Sequence, residues 1–180
     1  MTTNLLAICG SLRSGSVNAA TMRAALANPP GGVELQVFDP REIPFYDGDV
    51  EDAGIPAAVN ALNEAMLAND GLVIFTPEYN SSYPAVTKNI IDWLSRPPKT
   101  WEGKGLTLVT TTPGGRAGAG VRDHFDKSIG HFPVKAHPSH GIGKYFDKLT
   151  DGEITDQATI DELQGFLTAF AETCAADLDG

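Results

Sequence analysis

The chain has 180 residues, 42% hydrophobic and 20% charged, a length and balance that fit one globular domain (1–180) and exclude a disordered chain. Its 13 Lys and Arg face 23 Asp and Glu, and a formal net charge of −10 argues against nucleic acid or an anionic membrane as a partner. No apolar run approaches the ~20 residues of a membrane span.

Met1 to Asn4 lacks the basic segment of an export signal, so Leu5 to Ile8 reads as a first strand, ended by Cys9-Gly10. Residues 16–28 read as a helix whose inner face is small (Ala20, Ala24, Ala27) and packs closely on a sheet. Val33 to Phe38 alternates like a half-exposed strand, and residues 39–56, acidic and proline-bearing, read as a surface loop or partner surface. Val59, Leu62 and Met66 share one helix face. Leu72 to Phe75 is a continuous apolar run, the pattern of a strand buried on both sides. Val86, Ile90, Trp93 and Leu94 give the next helix, and Leu106 to Val109 the next strand. Val121, Phe125 and Ile129 recur at four-residue steps, and a fifth strand is expected over Phe132 to Ala136. The chain closes with Ile160, Leu163, Leu167, Phe170 and Cys174 on one helical stripe, capped by Thr155 or Asp156.

Strand and helix alternate five times, which implies an α/β fold with a parallel sheet covered on both faces. The second and fifth strands are not continuous apolar runs and belong at the edges. The expected order is 2-1-3-4-5, the flavodoxin-like three-layer sandwich. Cys9 and Cys174 stand in no metal or redox spacing, so free thiols in a reducing cytoplasm are expected. The four histidines (His124, His131, His137 and His140) follow no zinc spacing, so no metal is expected.

Ligands of such sheets bind beyond the carboxyl ends of the strands. Three loops open there. The first, Gly10 to Asn18, holds Ser11, Arg13, Ser14, Ser16 and Asn18 and runs straight into a helix, whose N-terminus suits an anion. The second is Thr76 to Pro84 and the third Thr110 to Arg116. A triphosphate loop is excluded, because Ser16-Val17 stands where lysine and a hydroxyl residue are needed. The dinucleotide fingerprint is absent. A phosphatase cradle needs more than the three residues between Cys9 and Arg13. A monophosphate held without metal remains, as in flavin mononucleotide (FMN).

At these residues the chain resembles the NADPH-dependent FMN reductase family, flavodoxin-like reductases of quinones, azo dyes and chromate. The first family block is matched by Gly10, Ser11, Arg13, Ser16 and Asn18. The second is matched by Pro77, Glu78, Tyr79, Asn80, Ser82, Pro84, Lys88, Asn89, Ile91, Asp92 and Trp93, and the third by Thr112, Pro113, Gly114 and Gly115. Ser81 stands where the family usually has glycine, and Tyr83 where it has an aliphatic residue. The resemblance implies that Ser11, Arg13, Ser16, Val17 and Asn18 hold the FMN phosphate. It implies that Pro77, Glu78, Tyr79, Asn80 and Ser81 wrap the isoalloxazine ring, and that Thr112, Gly114 and Gly115 close its other side. It further implies hydride delivery from NADPH or NADH to the flavin, release to a small-molecule acceptor, and no catalytic side chain of the protein's own. The helix after Pro84 resembles the family's subunit contact, so a homodimer or homotetramer is expected; Lys88 and Asp92, an i, i+4 pair on it, read equally as a surface ion pair or a subunit salt bridge. The alternative is a flavodoxin-type electron carrier, which would need a separate reductase; the threonine-rich phosphate loop of flavodoxins is missing here.

Overall fold

Strand β1 (Thr3–Cys9) lies inside a parallel sheet between β2 (Val33–Phe38) and β3 (Gly71–Phe75), and β3 continues to β4 (Gly105–Thr111). The computed structural model describes residues 2–176. The outer edge of β4 carries two short strands, β5 (Lys135–Ala136) and β6 (His140–Ile142), both parallel to it. The order is therefore β2-β1-β3-β4-β5, as expected from burial, with the fifth position split. The expected strand over 132–136 shrinks to two residues because Pro133 and Pro138 have no N–H to give the ladder. Between the two pieces, the His137 N–H still donates to the Leu106 carbonyl at 3.1 Å, and the His137 and Pro138 carbonyls accept from Thr107 Oγ1 at 3.1 and 3.4 Å.

Alternation along the central strands sorts the core into two layers. Leu6, Ile8, Leu72, Ile74, Leu106 and Leu108 face helices α3 (Ala57–Ala68), α4 (Ala85–Leu94) and α5 (Ala119–Ile129). Leu5, Ala7, Val73, Phe75 and Val109 face α1 (Val17–Ala27) and α6 (Gln157–Ala175). Trp93 and Trp101 are buried in the first layer. Asp156 caps α6 by accepting from the Thr159 N–H at 2.9 Å. Cys174 lies over Gly71 and Gly105, where any side chain would collide with its sulfur at 2.6 and 2.2 Å. Burial pushes its thiol up to about 12, so it is a packing residue.

Two segments differ from the sequence reading. The small face of α1 does not meet the sheet. Ala20 and Ala24 pack on Ile154, in a hairpin of β7 (Leu149–Thr150) and β8 (Glu153–Ile154), while Ala27 is exposed and Met22 and Ala25 turn to the sheet. The 39–56 stretch is ordered by a turn at Pro40–Glu42 and a short helix α2 (Gly48–Asp52). The Pro44 carbonyl accepts from Asn89 Nδ2 at 2.9 Å and Trp93 Nε1 at 2.8 Å, which pins this stretch to α4.

Candidate active site

The three loops converge at the carboxyl ends of β1, β3 and β4 around a cavity of about 270 Å³. Ser11, Arg13, Gly15, Ser16, Val17 and Asn18 line one wall, and Pro77, Glu78, Tyr79, Thr112 and Pro113 line another. A depression of about 540 Å³ adjoins it through Glu78, Thr112 and Pro113 and runs along Gly114 to Gly118.

At the first wall Ser16 is the N-cap of α1, its Oγ accepting from the Ala19 N–H at 3.3 Å. Its own O–H stays free to donate. Among the described residues the N–H groups of Val17 and Asn18 and the Arg13 guanidinium have no protein partner. A helix start with bare N–H groups, a free hydroxyl and a free guanidinium suits a monophosphate. Asn18 behaves differently from the expectation. Its side chain is 2% exposed, and both ends of its amide are taken by Thr111: Nδ2 donates to the carbonyl at 3.2 Å and Oδ1 accepts from the N–H at 2.8 Å. Asn18 thus ties the first loop to the end of β4, and its backbone N–H is the part left for a ligand. Gly10 lets α4 approach: a side chain there would meet the hydrogen-bonded pair Thr76 and Thr87 at 2.4 and 2.2 Å. The Cys9 thiol donates to the Ser11 carbonyl at 3.4 Å, and burial pushes it up, so it is no nucleophile.

The second loop is a tight hairpin. Tyr79 and Ser82 exchange backbone hydrogen bonds at 2.8 and 3.0 Å, with Asn80 (φ 52°) and Ser81 (φ 60°) at the turn. Tyr79, Asn80 and Ser81 are exposed at the mouth. The Glu78 carboxylate turns away from the cavity: Oε2 accepts from the Val121 N–H at 3.0 Å, at the start of α5. Ser82 Oγ bonds His124 Nδ1 at 2.8 Å, and Tyr83 stacks on His124 at 4.7 Å. The third loop places Gly114 and Gly115 at the surface, and Thr112 donates its N–H to the Ile142 carbonyl at 2.9 Å.

A further wall escaped the sequence reading. Tyr145, Leu149 and Gly152 close the cavity beside α1. The signal was Asp151-Gly152, a hairpin dipeptide between strand formers, and both take positive φ (50° and 82°). The histidines are scattered: His124 bonds Ser82 of the second loop, His137 Nδ1 bonds Thr173 Oγ1 at 2.8 Å, and His140 stacks on Phe166 at 4.9 Å. Among the described residues no three His, Cys, Asp or Glu side chains gather as metal ligands.

Residues 3–143 match the model of the NADPH-dependent FMN reductase family. The chain belongs to that family. It is 38% identical over 175 residues to a quinone reductase of Escherichia coli strain K12, covering 93% of each chain. It is 38% identical over 135 residues to an NAD(P)H-dependent FMN reductase of Pseudomonas aeruginosa, covering 74% of this chain and 72% of that one. Among solved structures it resembles FerB of Paracoccus denitrificans, a flavoenzyme NAD(P)H:(acceptor) oxidoreductase, with a TM-score of 0.85 and 29% identity over 97% of this chain and 98% of that chain. The flavodoxin-like fold of the family is the fold described above. Among the described residues no helix is long and apolar enough to cross a membrane.

Proposed function

We propose that this chain is an FMN-dependent NAD(P)H oxidoreductase that delivers reducing equivalents to a small quinone, flavin, azo or metal-oxyanion acceptor. The carrying observation is the helix start with its unsatisfied N–H groups and free Arg13 on a cavity that the Pro77–Tyr79 and Thr111–Pro113 loops also line. Bound FMN supplies the hydride and electron chemistry, as a cofactor does in such enzymes. The residues bind and orient. Ser11, Arg13, Ser16, Val17 and Asn18 hold the phosphate with neutral and charged donors. Pro77, Glu78, Tyr79, Asn80 and Ser81 form the hairpin that edges the ring, and Thr112, Gly114 and Gly115 bring backbone close on the other side. No side chain is assigned a catalytic proton.

Homodimer or homotetramer formation through α4 fits its exposed flank. Lys88 pairs with Asp92 there, and Phe45, 73% exposed, stands beside them over a depression shared with Tyr46 and Ala85. Two free thiols fit a reducing cytoplasm.

The test is an absorbance titration of the purified protein with FMN, followed by anaerobic NADPH. Uptake of flavin and bleaching by nicotinamide, with no second protein added, are expected. Protein that takes up no FMN overturns the reading, and flavin that bleaches only with an added reductase returns the chain to the electron carriers.

A further inference from the structure

Four of the six arginines have partners in the fold. Arg23 pairs with Glu153 at 2.7 Å, Arg41 with Asp39 at 2.7 Å and Arg96 with Glu51 at 2.9 Å, and Arg122 Nε donates to the Ala117 carbonyl at 3.1 Å. Among the described residues, Arg13 and Arg116 have none, and each lines one of the two depressions that share Glu78, Thr112 and Pro113. Arg13 belongs to the phosphate loop of the cavity. Arg116 lines the depression that leaves the cavity through Glu78, Thr112 and Pro113.

A second cation joins it from a different segment. Lys144 takes a left-handed backbone (φ 53°), and its stem lies across Gly115, where a side chain would meet Cε at 3.4 Å. Its ammonium also lacks a protein partner among the described residues. Glu78 is the one carboxylate lining this depression among the described residues, and it is turned onto the Val121 N–H. A chain of net charge −10 thus keeps two uncompensated cations on neighbouring stretches of backbone, Arg116 and the Lys144 stem over Gly115, beside a depression that opens from the cavity.

We propose that Arg116 and Lys144 form a subsite for the 2′-phosphate of NADPH and make the enzyme select NADPH over NADH. This rests on the oxidoreductase reading above. A nicotinamide beside the flavin must send its adenosine end out of the cavity, and the depression along Gly114 to Gly118 is continuous with that cavity. A dianionic monophosphate gains most from a planar fork next to a point charge. The pyrophosphate of the same nucleotide is common to NADH and gives no discrimination.

The test uses FMN-loaded protein with each nucleotide, in the parent, Arg116→Ser, Arg116→Lys and Lys144→Ala. The parent is expected to favour NADPH. Arg116→Ser lowers the NADPH-to-NADH ratio of kcat/KM about tenfold, through KM for NADPH, the scale of one charge-assisted contact. Lys144→Ala lowers it less, and Arg116→Lys recovers part of the loss. Calorimetric titration with adenosine 2′,5′-bisphosphate reads binding alone. Its affinity falls in parallel, while that for adenosine 5′-monophosphate does not. A parent that uses both nucleotides equally overturns the subsite, as does a ratio that stays constant in Arg116→Ser. Equal losses with NADPH and NADH assign Arg116 to the pyrophosphate and overturn it too. Failure of the parent to take up FMN is a separate result and removes the underlying reading.

Discussion

Asn80 and Ser81 form a two-residue turn in which both residues take positive φ, the arrangement that joins strands with their natural twist. Asn tolerates that conformation. Ser does not, and a left-handed residue with a Cβ costs roughly 1–2 kcal/mol. Glycine at this position would also free the unfolded chain, which takes back about 0.4–1 kcal/mol. The first effect is the larger, so Ser81→Gly should raise Tm by about 2 °C in a thermal melt, given the scaling for a chain of this size. An unchanged or lower Tm would mean that Ser81 gains more from its packing on Gly120, where a side chain would meet it at 3.0 Å, than it loses in its backbone.

Helix α5 begins at Gly118, in a left-handed conformation, without a side-chain cap of its own. Glu78 supplies one from a distant loop, accepting from Val121 at the third helical position. With the Ser82–His124 bond and the Tyr83–Ser128 bond at 3.2 Å, the Tyr79–Ser82 hairpin and α5 are held as one body. Glu78→Ala should therefore cost about 1 kcal/mol in chemical denaturation and weaken FMN binding several-fold, while Glu78→Gln, which keeps an acceptor oxygen, should retain most of both. Equal behaviour of the two variants would remove the cap from the account. The sequence shows the central strands plainly, because Leu5 to Ile8 and Leu72 to Phe75 are apolar without interruption and Leu106 to Val109 is broken only by Thr107. It hides the edge, because short strands at 135–136 and 140–142 bury too little to leave a pattern. It shows the three loops around the cavity because glycine and hydroxyl residues break the apolar pattern where β1, β3 and β4 end. It hides where Glu78 and Asn18 point, since their partners, Val121 and Thr111, are 43 and 93 positions away.

Across the whole molecule, His137 and His140 hold the β4 edge against α6, with Phe166 between them at 5.4 and 4.9 Å. Burial pushes both imidazoles below their ordinary value; Asp126 opposes this at His137, and Glu162 opposes it at His140 while Arg122 and Lys148 reinforce it. A lowered folded value means that the native state prefers neutral rings. Their contribution is complete above the unfolded value of about 6.5 and is lost as pH falls from there through the folded values. Denaturation midpoints should therefore drop between neutral pH and pH about 5.5, more steeply in Glu162→Gln and less so in His140→Asn. A midpoint flat across that window would show the rings to be solvated. The split outer strand has one more effect. Amyloid-like stacking needs a template on both sides of each subunit, and here one side is two stubs broken at Pro138. Among the described residues of the main sheet, only β2, with Val37 47% exposed, offers an unbroken backbone ladder to a neighbour. Two molecules joined there would have used up their sole adhesive margin, so growth by sheet extension halts at a pair instead of running on as a fibre.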